Sequence, residues 1–239
     1  MIQQTLQFVD ETGSTNADWV AAVRASKARE GDWLIARRQL AGKGRQGREW
    51  FDGSGNFMGS TAVQLHSGDP QPATLSFVAA LAVYEAVDET LTGAARPSLK
   101  WPNDVLIGAA KLCGILLEMV QGHVVIGIGV NLAKAPKLPD RETAALADFI
   151  PAPDLELFAQ LLSTRFAQRL KDWRQAGLPK VLTEFQLCSI HTAGSRVTVH
   201  DQDGTHLSGL FEGLEESDGA LRLRLADGSE RVIRAGDIL

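Results

Sequence analysis

Cysteine is scarce in this chain of 239 residues: Cys113 and Cys188 stand far apart and form neither a CxxC pair nor a cluster with histidine. That spacing excludes a disulfide framework and gives no zinc site, and it fits a reducing cytoplasm. No apolar run approaches the ~18–20 residues that a membrane span needs. The start, Met1-Ile2-Gln3-Gln4-Thr5, has no cation followed by an apolar stretch, so no signal peptide is expected. Positive charge is not in excess either; a formal net charge of −5 argues against a general nucleic-acid binder. GxxxxGK[ST] and GxSxG are both missing, which excludes a P-loop and a hydrolase nucleophile elbow. His66, His123, His191, His200 and His206 show no metal-ligand spacing with carboxylates or cysteines. No internal repeat or low-complexity segment is present.

What remains is an ordinary globular composition, 44% hydrophobic and 22% charged, enough to bury a core without disulfide or metal staples. Thr15 with Asp18 three residues on reads as a capping box opening a helix over 15–29, which Gly31 stops. Trp33 to Ala36 is a short buried strand, and Phe57 to Leu65 is another. The segment 72–92 carries Leu75, Val78, Ala79, Ala82, Val83, Ala86 and Val87 at helical spacing. Leu99 to Trp101, Lys111 to Met119 and His123 to Leu132 read as extended, and Lys134 to Pro139 as a loop. Leu155, Phe158, Leu162, Phe166, Leu170 and Trp173 mark a second amphipathic helix, ended near Gly177-Leu178-Pro179. After about residue 188 the texture becomes all-β. Asp203-Gly204, Asp218-Gly219 and Asp227-Gly228 are hairpin signals between the runs 196–199, 207–214, 220–225 and 231–233. The expected organisation is a mixed α/β unit over 1–188 and a small β-barrel over 189–239.

Charge is concentrated in one place. From Ala36 to Trp50 five cations (Arg37, Arg38, Lys43, Arg45, Arg48) stand against Glu49, a local charge of +4 that leaves −9 elsewhere. Within it, Gly42-Lys43-Gly44-Arg45-Gln46-Gly47 matches GxGxxG. A dinucleotide site would need a helix next, and Arg48 to Asn56 is a poor helix, so that reading fails on context. Glycines that admit close backbone approach and guanidinium groups that grip oxyanions still describe a carboxylate- or phosphate-binding loop, with a solvated basic loop as the alternative. Three further segments share that polar-in-apolar character. Lys100-Trp101-Pro102-Asn103-Asp104 makes a turn with two polar heads. Lys111 opens an apolar strand in which Gly114 permits close approach, and such a lysine needs an anion or solvent. Gly127-Ile128-Gly129-Val130-Asn131 repeats the theme, and together the segments suggest a ligand slot carved into a sheet.

Taken in order, Ser14-Thr15-Asn16, Gln39 with the loop from Gly42 to Trp50, Lys100 to Asp104, Lys111 with Gly114, and Gly127 with Asn131 resemble the successive motifs of biotin–protein ligases. The resemblance covers residues 8–132, and the all-β tail resembles that family's SH3-like C-terminal cap. Each motif is weak alone; five in order are specific. The resemblance implies an α+β fold, with a mixed-sheet catalytic domain of the class II aminoacyl-tRNA synthetase/biotin ligase type followed by the SH3-like barrel. It implies ATP and biotin as substrates with Mg²⁺, formation of biotinyl-5′-adenylate, and transfer to a lysine of the biotin carboxyl carrier domain of acetyl-CoA carboxylase or a related carboxylase. Ser14, Thr15, Asn16, Gln39, Gly42, Lys43, Gly44, Arg45, Lys111, Gly114 and Gly127 would bind biotin. Arg45, Arg48, Trp50, Asn103, Asp104 and Asn131 would bind ATP, with Asp104 the candidate for Mg²⁺ and Lys111 and Arg45 catalytic. A cytoplasmic protein without DNA or membrane partners is expected, and a homodimer is compatible with it.

The sequence also departs from that pattern. Lys43 stands where the family usually has arginine, Leu40 replaces a polar residue, and Cys113 takes a small-residue position. The first motif begins at residue 14, so no N-terminal helix-turn-helix is expected. A lipoyl or octanoyl transferase sharing the architecture is the rival enzyme, and a biotin-binding adaptor the non-enzymatic one.

Overall fold

The computed structural model describes residues 5–51, 53–139, 141–201 and 205–238. Its larger sheet has seven strands: β1 (Leu6–Val9), β2 (Trp33–Ala36), β3 (Phe57–Gln64), β4 (Pro97–Lys100), β5 (Asp104–Ile107), β6 (Ala110–Val120) and β7 (His123–Val130). They lie in the order β1-β2-β3-β7-β6-β5-β4. Only β1 and β2 run parallel; every other neighbouring pair is antiparallel. Side chains alternate between the two faces of a strand, and the faces of this sheet have different covers. Trp33, Phe57, Ile126, Ile128 and Val130 join the main core with helices α2 (Leu75–Leu91) and α3 (Leu155–Gln175). There Trp33 meets Phe166 edge-on at 5.4 Å and Phe57 meets Phe158 at 5.8 Å. On the other face, helix α1 (Thr15–Arg24) lays Trp19 and Val23 over Ala62 and Val125. No described helix is long and apolar enough to cross a membrane.

The C-terminal segment forms the expected all-β unit, an antiparallel sheet of β8 (Arg196–Asp201), β9 (His206–Leu214), β10 (Leu221–Arg224), β11 (Glu230–Ile233) and β12 (Gly236–Ile238), ordered β11-β10-β9-β8-β12. Gly219 and Gly228 adopt the positive φ that the Asp-Gly hairpin signals anticipate; Asp203-Gly204 lies outside the described residues. This unit is seated on the larger one. Ser189 bridges to Leu99 on edge strand β4, and the Trp101 indole donates to the Gly219 carbonyl at 3.0 Å.

Several boundaries differ from the sequence reading. The cap of α1 is Ser14, whose hydroxyl accepts from Ala17 N, and not Thr15. That helix ends at Arg24 because Ser26 turns left-handed (φ 55°) well before Gly31. The segment 72–92 begins as a 3-10 turn, Pro72–Thr74, before α2 starts. Pro179, where the sequence reading ends a helix, sits in the first turn of another one, α4 (Leu178–Leu187), where a missing N–H costs nothing. Strands β1, β5 and β12 are missing from the sequence reading.

Candidate functional site

Strand register builds the floor of the site. Gly127 and Gly129 occupy one face of β7, on the same side as α1, with Gly127 against its first turn. Gly114 of β6 pairs directly with Gly129, while Leu116 of β6 and Ser60 of β3 flank Gly127. Three positions without side chains therefore sink a trough into an otherwise filled surface. The space is already used: a Cβ at Gly129 would overlap the Trp50 indole, one at Gly114 would lie 2.8 Å from it, and one at Gly127 would lie 2.7 Å from the Asn16 amide oxygen.

The first turn of α1 closes one end of the trough. The Gln39 side-chain Oε1 accepts from Thr15 N at 2.7 Å and from the Thr15 hydroxyl at 3.1 Å. That hydroxyl also touches the Ser60 hydroxyl at 2.7 Å. Thr15, Asn16, Gln39 and Ser60 are all buried, so this polar nest exists away from water. Buried polar groups keep their hydrogen bonds or cost stability. The amide oxygen of Asn16 is an exception, buried with no partner among the described residues, while its nitrogen donates to Glu118.

The basic loop forms the roof. Trp50 N donates to Gly42 O, Gly44 N donates to Arg48 O, and Arg45–Gly47 is a single 3-10 turn with no helix after it. Arg45 donates to the Asn103 side chain and to Asp237 of β12, both at 2.8 Å, and Arg48 reaches the other Asp237 oxygen at 3.3 Å.

At the far end, Lys111 Nζ meets Asp104 Oδ1 at 2.6 Å. Of the two partners expected for a lysine opening an apolar strand, anion or solvent, the structure supplies the anion. The backbone of Lys111 binds the return segment, donating to Glu142 O and accepting from Ala144 N. Asn103 is anchored by donating to Ile115 O at 2.6 Å, and Asn131 by donating to Ala144 O at 3.1 Å. Burial lowers the pKa of nearby Lys100 below the ordinary lysine value, with Asp104 opposing the shift. Burial likewise pushes the Cys113 thiol, on the opposite side of β6, well above the ordinary thiol value.

These parts enclose a cavity of about 230 Å³. Every sequence-derived site residue lines it except Gly42, which sits behind the roof; a Cβ there would press on Gln39 Nε2 at 3.1 Å and the Trp50 Cβ at 3.3 Å. Lining residues that the sequence reading did not select include Ser60, Gly129, Arg141 and Asp237. Asn56, also not selected, is fully buried beside the cavity. Its oxygen accepts from Ala133 N and Lys134 N and its nitrogen donates to Lys134 O, fixing the base of the 133–145 segment. A polar residue leading into a buried strand was the available signal for Asn56, and the second glycine of Gly127-Ile128-Gly129 for Gly129.

Comparison with known proteins places this geometry. Residues 9–131 match the biotin/lipoate A/B protein ligase family, and residues 192–239 match the biotin protein ligase C-terminal domain. The chain is 36% identical to a biotin–[acetyl-CoA-carboxylase] ligase of Mycobacterium tuberculosis, over 98% of this chain and 88% of the relative. The chain belongs to the biotin protein ligase family. A second member, the biotin–[acetyl-CoA-carboxylase] ligase of Paracoccus denitrificans, is 39% identical over 95% of this chain and 97% of its own. The fold agrees as well. The biotin protein ligase of Aquifex aeolicus, solved in complex with biotin and ATP, superposes with a TM-score of 0.85 at 23% identity, covering 98% of this chain and 97% of that one. As a biotin ligase fold, the seven-stranded sheet explains why GxGxxG here opens no helix: the loop roofs a sheet surface instead of ending a strand below a helix N-terminus.

Proposed function

We propose that this chain activates biotin with ATP and passes it to a lysine of the biotin carboxyl carrier domain of acetyl-CoA carboxylase or a related carboxylase. In the first step a biotin carboxylate oxygen bonds to the α-phosphorus of ATP and pyrophosphate leaves, giving biotinyl-5′-adenylate. In the second, the lysine amine bonds to the acyl carbon, AMP leaves with the bonding electron pair, and the amine loses a proton.

The observation that carries this reading is the polarity of one trough. A nest of buried hydroxyls and amides lies at one end, and Lys111, Arg45 and Arg48 lie toward the other. Biotin has that same layout, a polar ring, an apolar chain and a carboxylate. Ser14, Thr15, Asn16 and Gln39 take the ring, and Gly114 and Gly127 admit the chain. Gly42, Lys43 and Gly44 cover it. Lys111 and Arg45 screen the meeting of two anions and the charge that develops on the α-phosphate. Arg48, Asn103, Asp104 and Asn131 serve the nucleotide. Trp50, packed on Gly114 and Gly129, walls the chain and borders the nucleotide side.

The donor set fits a Mg²⁺ ion that arrives with ATP, because such ions are held by one or two carboxylates plus substrate phosphates. Asp104 would hold it, and the ion would neutralise phosphate charge. The basic loop faces the trough and pairs with Asp237, so its charge serves this site and not a nucleic acid. We place the enzyme in the cytoplasm, where its two thiols stay reduced, with the unit boundary at 188/189.

Biotin-dependent ATP–pyrophosphate exchange, followed by transfer of labelled biotin to a carrier domain with lipoate as competitor, tests the reading. Exchange and transfer with biotin are expected. Lipoate transfer without biotin transfer would overturn it.

A further inference from the structure

Glu118 sits on the same face of β6 as Gly114, two pairs of residues along the strand and beyond the trough. It is exposed, and the roles assigned above give it no part in the reaction. Its carboxylate accepts from the Asn16 amide nitrogen. An ionised carboxylate can only accept, so it fixes which way the amide points: nitrogen toward Glu118, oxygen toward Gly127. Asn16 is 6% exposed and lines the cavity, and its oxygen has no partner among the described residues. The hydroxyl and amide partners of the nest, Thr15, Gln39 and Ser60, are engaged with one another and leave this oxygen alone.

We infer that Glu118 is a positioning residue that presents Asn16 as an acceptor for a ring N–H of the ligand, and that the pair selects a cyclic urea over an acyl group lacking an N–H. This rests on the biotin-ligase reading above. A buried acceptor left empty costs binding, so a ligand with an N–H fills it while a dithiolane or plain alkyl chain leaves it orphaned. Selection by an unmet hydrogen bond is stronger than selection by apolar fit.

Biotin affinity is measured by titration calorimetry without nucleotide, and the KM for ATP by pyrophosphate exchange. Glu118→Ala frees the Asn16 amide to rotate and weakens biotin binding about tenfold, with the KM for ATP unchanged. The paired exchange Asn16→Asp with Glu118→Gln restores the pattern. The new amide on β6 then donates to one oxygen of the new carboxylate on α1 and leaves the other oxygen facing Gly127. Recovery of most of the lost affinity is expected, which simple packing does not predict. Glu118 is exposed, so Glu118→Ala keeps the fold; thermal melts check this and the paired variant, whose change at Asn16 is buried. Unchanged biotin affinity in Glu118→Ala, or a paired variant no better than Asn16→Asp alone, overturns the inference. Loss of biotin-dependent exchange in the unaltered chain would instead count against the functional reading itself.

Discussion

Asp237 and Arg45 lie 192 residues apart in sequence and 2.8 Å apart in space, joining the last strand of the C-terminal sheet to the roof of the site. The same carboxylate takes Arg48, so one anion holds both guanidinium groups of the roof. On the proposed function, Asp237 occupies the place that nucleotide phosphates would take, and the C-terminal unit lines the cavity through it. Asp237 and Arg45 are about a quarter exposed and Arg48 nearly half, which places each ion pair in the range of about 0.2–1 kcal/mol.

Asp237→Ala should therefore loosen the roof without unfolding the protein. Lys43, Arg45 and Arg48 are themselves trypsin sites, so the rate of cleavage between residues 43 and 49 reports the change directly. A twofold to roughly thirtyfold faster cut is expected without ligand, from two weak bonds lost. Protection by biotin with ATP should survive, because ligand phosphates replace the carboxylate. Cleavage at the unaltered rate would mean that the pairs with Asp237 do not hold the roof.

Lys111→Ala removes the cation from the reacting end and leaves Asp104 without its partner. Loss of one charge-stabilising donor typically lowers the rate ~10²–10³-fold, and adenylate formation should fall by that order. Biotin binding measured without nucleotide should weaken less, since only the carboxylate contact is lost and the ring end is untouched. A variant with near-normal exchange would remove Lys111 from the chemistry. Thermal stability should fall modestly, by about 1–3 kcal/mol, from the part-buried carboxylate left unpaired.

Much of this site could be read in the sequence, and the parts that could not share a physical cause. The loop from Gly42 to Trp50 was legible because clustered glycine and arginine suit an anion, with a solvated loop as the alternative, and Lys111 because a cation opening an apolar strand needs an anion or solvent. Asp237 carried no such signal; its role depends on docking of the C-terminal sheet, a contact of long sequence separation. Ser60 and Asn56 are single polar residues next to apolar runs, and only register shows that one faces Gly127 and the other the 133–145 segment. Pro179 illustrates the limit of local rules: the same residue that cannot continue a helix suits the start of the next one.

Both thiols should be slow toward Ellman's reagent in the native protein. Cys113 is fully buried and burial raises its pKa, so the reactive thiolate is scarce at any ordinary pH. Cys188 is half-buried; burial raises its pKa too, against an opposing hydrogen bond to Tyr84. Cys188 should react first as pH rises, and Cys113 only in denaturant. Rapid stoichiometric labelling of both at pH 8 would contradict this packing.

Gly129→Ala is the sharpest probe of the trough. The added methyl would fall within the Trp50 indole, whose position is backed by the loop it belongs to. Strand β7 itself would accept alanine, because Gly129 is paired on both sides in regular antiparallel register with Met58 and Gly114. Strain therefore falls on the roof and not on the sheet. Overpacking of this kind costs about 1–3 kcal/mol, so biotin binding should weaken roughly 5- to 150-fold while the melting temperature moves little. Trp50→Ala in the same chain removes the clash, and biotin affinity should then be indifferent to the residue at 129. If Gly129→Ala weakens binding equally with and without Trp50, the methyl acts on the ligand directly and the indole is not the wall of the trough.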